Sequence, residues 1–275
     1  MRIFSISIQN QKGRPNEDFY LVSKKSPIFA VADGVSRTKN PDGSYPKVSG
    51  ARLAAEEFCK STTNYLEKNF KNANSKTLRK AFNFANKAIF NLNKKYGINK
   101  KSDYLENDFF CTCGAVAFIK NNILYYGYVG DCGIRIYNKN DFLKFISIDD
   151  VSTLEEWRDN QKFKSKKERL LIWRKILRNK PKAPYLTYGV FTGEKEVKYY
   201  YHVGEIKLHK RDLIFIYSDG FVHFIAKTDF RNFFREFEKE KLEEKIKKFC
   251  EKEIPGNLKT TEIFSDDKTL ISILI

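Results

Sequence analysis

Aspartates recur at the ends of apolar segments in this chain. The interior of a strand disfavours aspartate. Four of them close or follow runs typical of strands and a fifth precedes the last apolar run: Asp18, Asp33, Asp131, Asp219 and Asp266. A single Asp-Gly pair usually marks a turn. Because five carboxylates occupy such positions, two of them followed by glycine, the pattern favours a polycarboxylate metal centre assembled from strand ends.

The length and composition indicate a folded globule. The chain has 275 residues, of which 41% are hydrophobic, and this is enough for a sizeable core. No linker or repeat interrupts it, so we predict a single domain over residues 1–275. Residues 1–20 lack a signal-peptide pattern, no apolar run approaches the roughly 18 residues of a membrane span, and the five cysteines suit free thiols in a reducing compartment. We therefore expect a cytoplasmic protein without a membrane contact.

The balance of charge is strongly basic, with 51 Lys and Arg against 34 Asp and Glu and a formal net charge of +17. Such a surface attracts anions, including nucleic acid, acidic membranes and phosphorylated proteins, although a Lys- and Asn-rich genome explains it equally well. No helix-turn-helix, RNP-type or zinc motif accompanies the charge. We therefore expect no specific recognition of nucleic acid.

Hydrophobic periodicity divides the chain into strands and two pairs of helices. Alternation over 3–9 and apolar runs over 19–23 and 28–32 predict the first strands, and helical spacing predicts helices over 47–67 and 76–95. The remaining predicted elements are strands over 110–119, 123–129, 132–137, 142–146, 185–191, 197–203, 213–218 and 269–275, with helices over 230–237 and 240–252. This order is typical of an α+β sandwich of antiparallel sheets and helices.

Two short links in the middle of the chain predict how its strands connect. Asn121-Asn122 predicts a tight hairpin turn. The equally short Gly130-Asp131 link predicts that the strands over 110–119, 123–129 and 132–137 form one antiparallel meander.

Residues 153–180 differ from the rest of the chain and predict a basic helical insert. Its cations are Lys162, Lys164, Lys166, Lys167, Arg169, Arg174, Lys175, Arg178 and Lys180. Leu170, Trp173 and Ile176 lie between them, which predicts that one face of the insert packs on the core. The cations either recruit acidic phosphoproteins, raising association rates at low salt, or form an ordinary solvated face.

Six motifs, each weak by itself, follow one another in a characteristic order. They are Asn16-Glu17-Asp18, Val31-Ala32-Asp33-Gly34-Val35, Cys111-Thr112-Cys113-Gly114-Ala115-Val116, Val129-Gly130-Asp131-Cys132, the strand ending in Ser218-Asp219-Gly220, and Asp266-Asp267-Lys268-Thr269. In order and spacing they resemble the motifs of the metal-dependent protein phosphatases of the PPM family, the type 2C serine/threonine phosphatases, particularly bacterial-type members. The resemblance covers the whole chain apart from the basic insert.

The resemblance implies a four-layer αββα sandwich, in which two antiparallel sheets are flanked by helix pairs and hold two Mn²⁺ or Mg²⁺ ions in a cleft between them. Asp33 would bridge both ions, and the Gly34 carbonyl would ligate one. Asp18, Asp219 and Asp266 would complete the two sites. The residue types agree with this, because hard oxygen donors select Mg²⁺ or Mn²⁺ over softer metals.

Four further residues take roles that the resemblance implies or puts in question. Glu17 would hold metal-bound waters, and Asp131 would belong to a third, weaker metal site that many members have. Arg14 stands one position closer to Glu17 than the usual phosphate-gripping Arg, so it either reaches the substrate phosphate or is a solvated loop residue. His223 replaces an Asp of the third site; it would bind a transition metal, protonate the leaving alkoxide, or have no function at a helix end.

The leading interpretation is a metal-dependent serine/threonine protein phosphatase that hydrolyses phosphoserine and phosphothreonine with a metal-activated water. Its partners would be phosphorylated proteins, made by a serine/threonine kinase, and we expect a monomer. The alternative is a non-catalytic phosphatase-fold signalling module that binds phosphoprotein partners. A small phosphate ester is a further choice of substrate.

Overall fold

Two five-stranded antiparallel sheets lie at the centre of the molecule. The computed structural model describes residues 1–9, 14–35, 49–236, 239–253 and 266–275. Its strands are β1 (Arg2–Ile8), β2 (Phe19–Val22), β3 (Ile28–Gly34), β4 (Thr112–Lys120), β5 (Ile123–Val129), β6 (Gly133–Tyr137), β7 (Leu143–Ile146), β8 (His202–Lys207), β9 (Leu213–Tyr217) and β10 (Lys268–Leu274). The first sheet has the order β1-β10-β9-β6-β7, and the second has the order β2-β3-β4-β5-β8.

The helices lie between β3 and β4, between β7 and β8, and between β9 and β10 along the chain. The described α-helices are α1 (Gly50–Asn69), α2 (Ser75–Lys95), α3 (Ser152–Asp159), α4 (Lys166–Leu171), α5 (Val222–Ile225), α6 (Thr228–Glu236) and α7 (Lys239–Glu253). A wide π-helical turn over Ile172–Leu177 continues α4. In the part of the chain that the structure describes, no helix is long and apolar enough to cross a membrane.

The long helices cover the outer face of each sheet. On the second sheet, Phe58 of α1 and Phe82 of α2 lie in one buried cluster. On the first sheet, Phe230 and Phe234 of α6 lie in a second buried cluster with Leu242 of α7. Apolar side chains from both sheets fill the space between them, among them Val31, Ala115, Ile214, Ile216 and Ile271. The order helix, sheet, sheet, helix confirms the predicted α+β fold class and its αββα layers.

Local sequence signals account for several element ends. The Ser49 hydroxyl caps α1 by accepting a hydrogen bond from the Arg52 backbone N–H at 3.1 Å, and Asn74 opens α2 in a capping box. Asn121 and Asn122 both have positive φ, 53° and 58°. These values are typical of the two-residue hairpin turn that the sequence predicts between β4 and β5.

The predicted three-strand meander is wrong at its third strand. β4 and β5 pair in the second sheet, but β6 pairs with β7 and β9 in the first sheet. The chain crosses between the sheets at Gly130, whose φ of +79° favours glycine. A Cβ at Gly130 would also lie 2.3 Å from the sulfur of Cys113. Asp131 therefore lies in a link between sheets and not in a hairpin within one sheet.

The strand predicted over 185–191 is also wrong. These residues make only isolated bridges, at Tyr188 and Phe191. The Asn179 amide takes both backbone groups of Val190: it accepts from the N–H and donates to the carbonyl, each at 3.0 Å. A side chain thus replaces the neighbouring strand that a β-ladder would need.

The strand predicted over 197–203 begins later than expected. Residues Lys195–Tyr200 form a 3₁₀ helix, and β8 starts at His202. Val197 and Tyr201, four residues apart, are both buried in the same apolar cluster. A strand would place Tyr199 on the same face as Val197 and Tyr201, but Tyr199 is 63% exposed, so the buried positions do not alternate as a strand requires.

The basic insert is helical over α3, α4 and the turn that follows. Trp173 packs on Tyr188, with 5.2 Å between the ring centroids. Ile176, however, is 41% exposed, so the expectation that it packs on the core is wrong. The exposed apolar side of the insert is therefore left uncovered among the described residues.

Candidate active site

A cleft of ≈ 270 Å³ lies where strand ends of both sheets meet. Asp33 and Gly34 close β3, and Asp131 follows β5. Asp219 follows β9 and Asp266 precedes β10, and both line the same cleft. The structure thus brings five of the predicted residues to one surface from distant parts of the chain. Their roles as metal ligands stay predictions.

The backbone at the end of β3 is held tightly in place. A Cβ at Gly34 would lie 2.6 Å from the backbone of Ala51 in α1 and 2.7 Å from the Glu17 carbonyl oxygen. Only glycine permits this approach. The Thr112 hydroxyl donates a hydrogen bond to the Asp33 carbonyl oxygen at 2.5 Å. The Asp33-Gly34 pair is therefore positioned by contacts on both sides.

Asp18 lies behind the cleft and links the two sheets. It is 1% exposed, and its Oδ2 accepts a hydrogen bond from the Ser218 hydroxyl at 2.7 Å. The same hydroxyl oxygen accepts from the Thr269 backbone N–H at 2.9 Å. Ser218 directly precedes Asp219, so this contact fixes the end of β9 against the entry to β2.

Burial and mutual repulsion raise the pKa of these carboxyls. The pKa of Asp33 is well above its ordinary value, because the group is buried and because Asp18 and Asp219 carry like charge nearby. Burial and the charge of Asp131 do the same for Asp219. Burial also raises the pKa of Asp18 to about 7. Such a concentration of buried negative charge is stabilised by a cation.

The cleft residues fit a hard divalent cation. Asp131 Oδ1 and Asp219 Oδ1 are buried and have no hydrogen-bond partner among the described residues, and an unpaired buried oxygen of this kind is costly. All the carboxylate donors are hard oxygens, which Mg²⁺ and Mn²⁺ prefer. Within the described ranges, no group of three or more His, Cys, Asp or Glu side chains is already arranged to hold a metal ion.

Arg14 and Glu17 form an ion pair beside the carboxylates. Arg14 Nη2 lies 2.6 Å from Glu17 Oε2, and the Ser49 hydroxyl donates to Glu17 Oε1 at 2.5 Å. Glu17 is 2% exposed, and its backbone N–H donates to Asp267 Oδ2 at 2.8 Å. Burial raises the pKa of Asp266, and the nearby positive charge of Arg14 partly opposes this increase. The loop that carries Arg14 therefore does bring this guanidinium to the acidic cluster.

His223 is not among the residues that line the cleft. It is an exposed residue of α5. Burial of the ring, followed by the positive charges of Arg135 and Lys227, lowers its pKa. The structure does not bring His223 to the other predicted site residues, and its catalytic or metal-binding role stays a prediction.

A cysteine also lines the cleft, but as an inert thiol. All five cysteines are buried and free, in agreement with the sequence. Burial, together with Asp131 and Asp33, raises the pKa of Cys113 well above its ordinary value. Because the thiolate is the nucleophilic form, Cys113 is a poor nucleophile at neutral pH.

The insert supplies part of the wall of the cleft, and sequence reasoning did not identify it as such. Its cleft-lining residues are Glu155, Arg158, Arg169, Leu170, Trp173 and Arg174. The Arg158 guanidinium lies 3.2 Å from Glu155 and 5.4 Å from the Trp173 ring centroid. The spacing of 151, 155 and 158 places these residues on one helix face, and this spacing is the signal that could have identified the wall from the sequence.

Comparisons with known proteins agree with this architecture. A family model described as protein phosphatase 2C matches residues 9–252. The serine/threonine phosphatase PstP/Ppp of Mycobacterium tuberculosis has a similar structure: 14% identity over 98% of this chain and 97% of that chain, with a TM-score of 0.63. PppA, a regulatory component of T6SS in Pseudomonas aeruginosa, shares 16% identity over 100% and 97% of the two chains, with a TM-score of 0.61.

A second PstP structure, of the catalytic domain in complex with two manganese ions, covers 100% of this chain and 98% of that one at 14% identity, with a TM-score of 0.60. A search of curated proteins finds no match. At these identities the solved structures show the fold alone, whereas the family model spans most of the sequence. The chain therefore belongs to the protein phosphatase 2C family.

Proposed function

We propose that this protein is a cytoplasmic, monomeric, metal-dependent phosphatase that hydrolyses phosphoserine and phosphothreonine in phosphorylated proteins, and so reverses a serine/threonine kinase. The observation that carries the proposal is the meeting of carboxylates from both sheets in one cleft that Arg158 and Arg169 also line. Carboxylates suit a metal ion, and guanidinium groups suit a phosphate.

Asp33, the Gly34 carbonyl, Asp219 and Asp266 would hold two Mn²⁺ or Mg²⁺ ions, with Asp18 behind them. Such ions, when bound, stabilise a phosphoryl group as Lewis acids and lower the pKa of water. Asp131, whose Oδ1 lacks a partner among the described residues, would serve a third ion.

The chain's own residues would orient the substrate and the nucleophilic water. Arg14 and Ser49 fix both oxygens of the Glu17 carboxylate, so this carboxylate points in one direction and can accept a hydrogen bond from water only in a defined geometry. Arg158 and Arg169 of the insert would bind phosphate oxygens, for which the planar guanidinium is well suited, whereas Arg174 is paired with Asp108. Trp173 and Leu170 close the same wall and would limit the access of bulk water.

The test is hydrolysis of p-nitrophenyl phosphate and of a phosphothreonine peptide with Mn²⁺, with Mg²⁺ and with EDTA. We expect turnover with either ion and none with EDTA. Stoichiometric Mn²⁺ binding without turnover of either compound would favour the non-catalytic signalling module. Absence of both binding and turnover would contradict the proposed centre. Turnover of the small ester alone would point to a non-protein substrate.

Without metal, we expect the stability of the protein to fall as the pH rises from about 4 to about 7. Burial raises the pKa of Asp18 and of Asp131 from 3.8 to about 7. Between these values the folded chain keeps protons that the unfolded chain has lost, so deprotonation favours unfolding. This contribution is present in full below the unfolded pKa and is gone above the folded one.

The measurement is the melting temperature in EDTA at pH 5 and pH 8, compared with Asp131→Asn. The pH dependence should be smaller in the variant, because one of the carboxyls with a raised pKa is missing, and general charge effects cancel in the difference. Mn²⁺ should stabilise the wild type more at pH 8 than at pH 5, since ligands must be deprotonated. An identical pH dependence in both proteins would contradict the expectation.

A further inference from the structure

An apolar groove of ≈ 540 Å³ lies on the insert, separate from the cleft. We call it the docking groove and define it by Leu154, Trp157, Ile172, Ile176, Tyr185 and Leu186. Trp157, Ile176, Tyr185 and Leu186 are 39%, 41%, 50% and 60% exposed. Large apolar side chains that remain exposed together in this way mark a surface that binds something.

The helices of the insert separate the docking groove from the cleft. In α3, Glu155 and Arg158 face the cleft while Leu154 and Trp157 face the groove. After α4, Trp173 and Arg174 face the cleft while Ile172 and Ile176 face the groove. Each helix thus has one face towards the proposed catalytic residues and the other towards the groove. A molecule that occupies both the cleft and the groove must therefore cross the width of one helix.

The surroundings of the groove are cationic. A neighbouring hollow shares Ile176 and Tyr185 with it and contains Lys175, Lys180 and Lys182. One carboxylate, Glu196, also lines this hollow. Lys175 and Lys182 are exposed, so their charges are available to a binding partner. The groove therefore suits an apolar side chain with acidic residues beside it.

We propose that the docking groove binds an acidic segment of the phosphoprotein substrate through one apolar anchor side chain, while the phosphoresidue occupies the cleft. The proposal rests on the proposed function. A second copy of this chain is a poorer occupant, because both copies carry a net charge of +17 and repel each other. A substrate segment that is acidic and apolar complements both the lysines and the groove.

The geometry limits where the anchor stands in the substrate. A helix with its side chains is about 10–12 Å across, and an extended peptide advances about 3.3 Å per residue. The anchor therefore stands roughly four residues or more from the phosphoresidue. An apolar residue next to the phosphoresidue would not reach the groove.

The experiment compares matched phosphothreonine peptides with Mn²⁺ present. One carries Leu between acidic residues five positions before or after the phosphothreonine, and its control carries Ser in place of that Leu. We expect a kcat/KM about ten-fold higher for the Leu peptide, mainly through KM, since burial of one Leu side chain is worth at least this factor. Leu186→Ser and Ile176→Ser should bring the ratio of the two peptides close to one.

Controls separate docking from catalysis. Phe142→Ser removes a 67% exposed aromatic residue at the turn before β7, outside the groove, and should keep the wild-type ratio. The unphosphorylated Leu peptide should change the fluorescence of the wild type, and Trp157→Phe should abolish this change although Trp173 remains.

Equal kcat/KM for the Leu and Ser peptides would overturn the proposal. Self-association that Ile176→Ser abolishes would also overturn it, since the groove would then be an interface between copies. If the wild type hydrolyses neither peptide nor p-nitrophenyl phosphate, the proposed function fails. The fluorescence titration then tests the groove independently of turnover. If the fluorescence does not change when the peptide is added, the docking proposal is contradicted.

Discussion

Asp33→Asn and Asp219→Asn should each reduce Mn²⁺-dependent hydrolysis of p-nitrophenyl phosphate by roughly a thousand-fold or more. The amide keeps the size of the side chain but removes the charge that a divalent cation needs. Both residues line the cleft, and Asp219 Oδ1 is one of the buried oxygens without a partner among the described residues. Loss of activity should therefore come with loss of metal affinity.

The same variants should not be less stable than the wild type in EDTA. Burial and neighbouring carboxylates raise the pKa of Asp33, which means that the ionised cluster is unfavourable in the absence of a cation. The amide stays neutral at every pH, so the variant avoids the cost of ionising a carboxyl in this cluster. We expect an equal or higher melting temperature in EDTA and a smaller increase when Mn²⁺ is added.

Asp229→Asn is the matched control, since Asp229 is an exposed residue in the first turn of α6. It should keep the turnover and the response to Mn²⁺ of the wild type. If Asp33→Asn or Asp219→Asn retained wild-type turnover, the cleft would not be the catalytic centre. A lower melting temperature in EDTA would show instead that these residues are needed for folding.

Asp108→Ala should destabilise the protein by about 3–5 kcal/mol, the usual cost of breaking a buried ion pair by removal of one partner. Asp108 is 2% exposed. Its carboxylate accepts two hydrogen bonds from Arg178, at 2.7 and 3.1 Å, and lies 3.3 Å from Nε of Arg174. Without it, two buried guanidinium groups lose their counter-charge.

The pH dependence of this pair has the opposite sign to that of the cleft carboxylates. Burial alone would raise the pKa of Asp108, but the charge and hydrogen bonds of Arg178 outweigh it, so the pKa is lowered. Its stabilising contribution is present above the pKa of the unfolded chain and is lost as the pH falls through the folded pKa. The difference in stability between wild type and Asp108→Ala should therefore shrink in acid.

Urea denaturation of Asp108→Ala, Arg178→Met and the double variant tests this as a cycle. The double variant should be less destabilised than the sum of the single changes, because it removes both members of the pair. Asp141→Asn should cost less, because the Asp141 side chain that pairs with Arg231 and Arg235 is 22% exposed. Strict additivity in the cycle would contradict the interpretation of Asp108 and Arg178 as a coupled pair.

Much of the carboxylate side of the cleft follows from local sequence. Asp33 and Asp219 each end an apolar run and are followed by glycine, and a strand cannot continue easily through such a pair. Likewise, Asn121-Asn122 specifies a hairpin turn because both residues tolerate positive φ. The ends of strands, their carboxylates and the helical periods are properties of short segments, so the sequence by itself determined them and, through their order, the fold class.

The remaining features depend on contacts between distant segments. The Gly130 link predicts a tight connection but not the sheet that β6 joins. Both sheets contain apolar strands with which β6 could pair, and local sequence does not distinguish between them. The Asn179 amide, which replaces a strand partner for Val190, gives no signal in its own neighbourhood. His223 follows the Ser218-Asp219-Gly220 motif closely in sequence, yet it does not line the cleft.

Only the tertiary structure decided what each face of the basic insert contacts. A helix with Arg and Lys between apolar residues has the same local pattern whether its cations face water or a cleft. The fold placed Arg158 and Arg174 in the lining of the cleft and left Trp157 and Ile176 exposed in the docking groove. Periodicity specifies which residues share a face, but the packing of that face against other parts of the chain determines what the face meets.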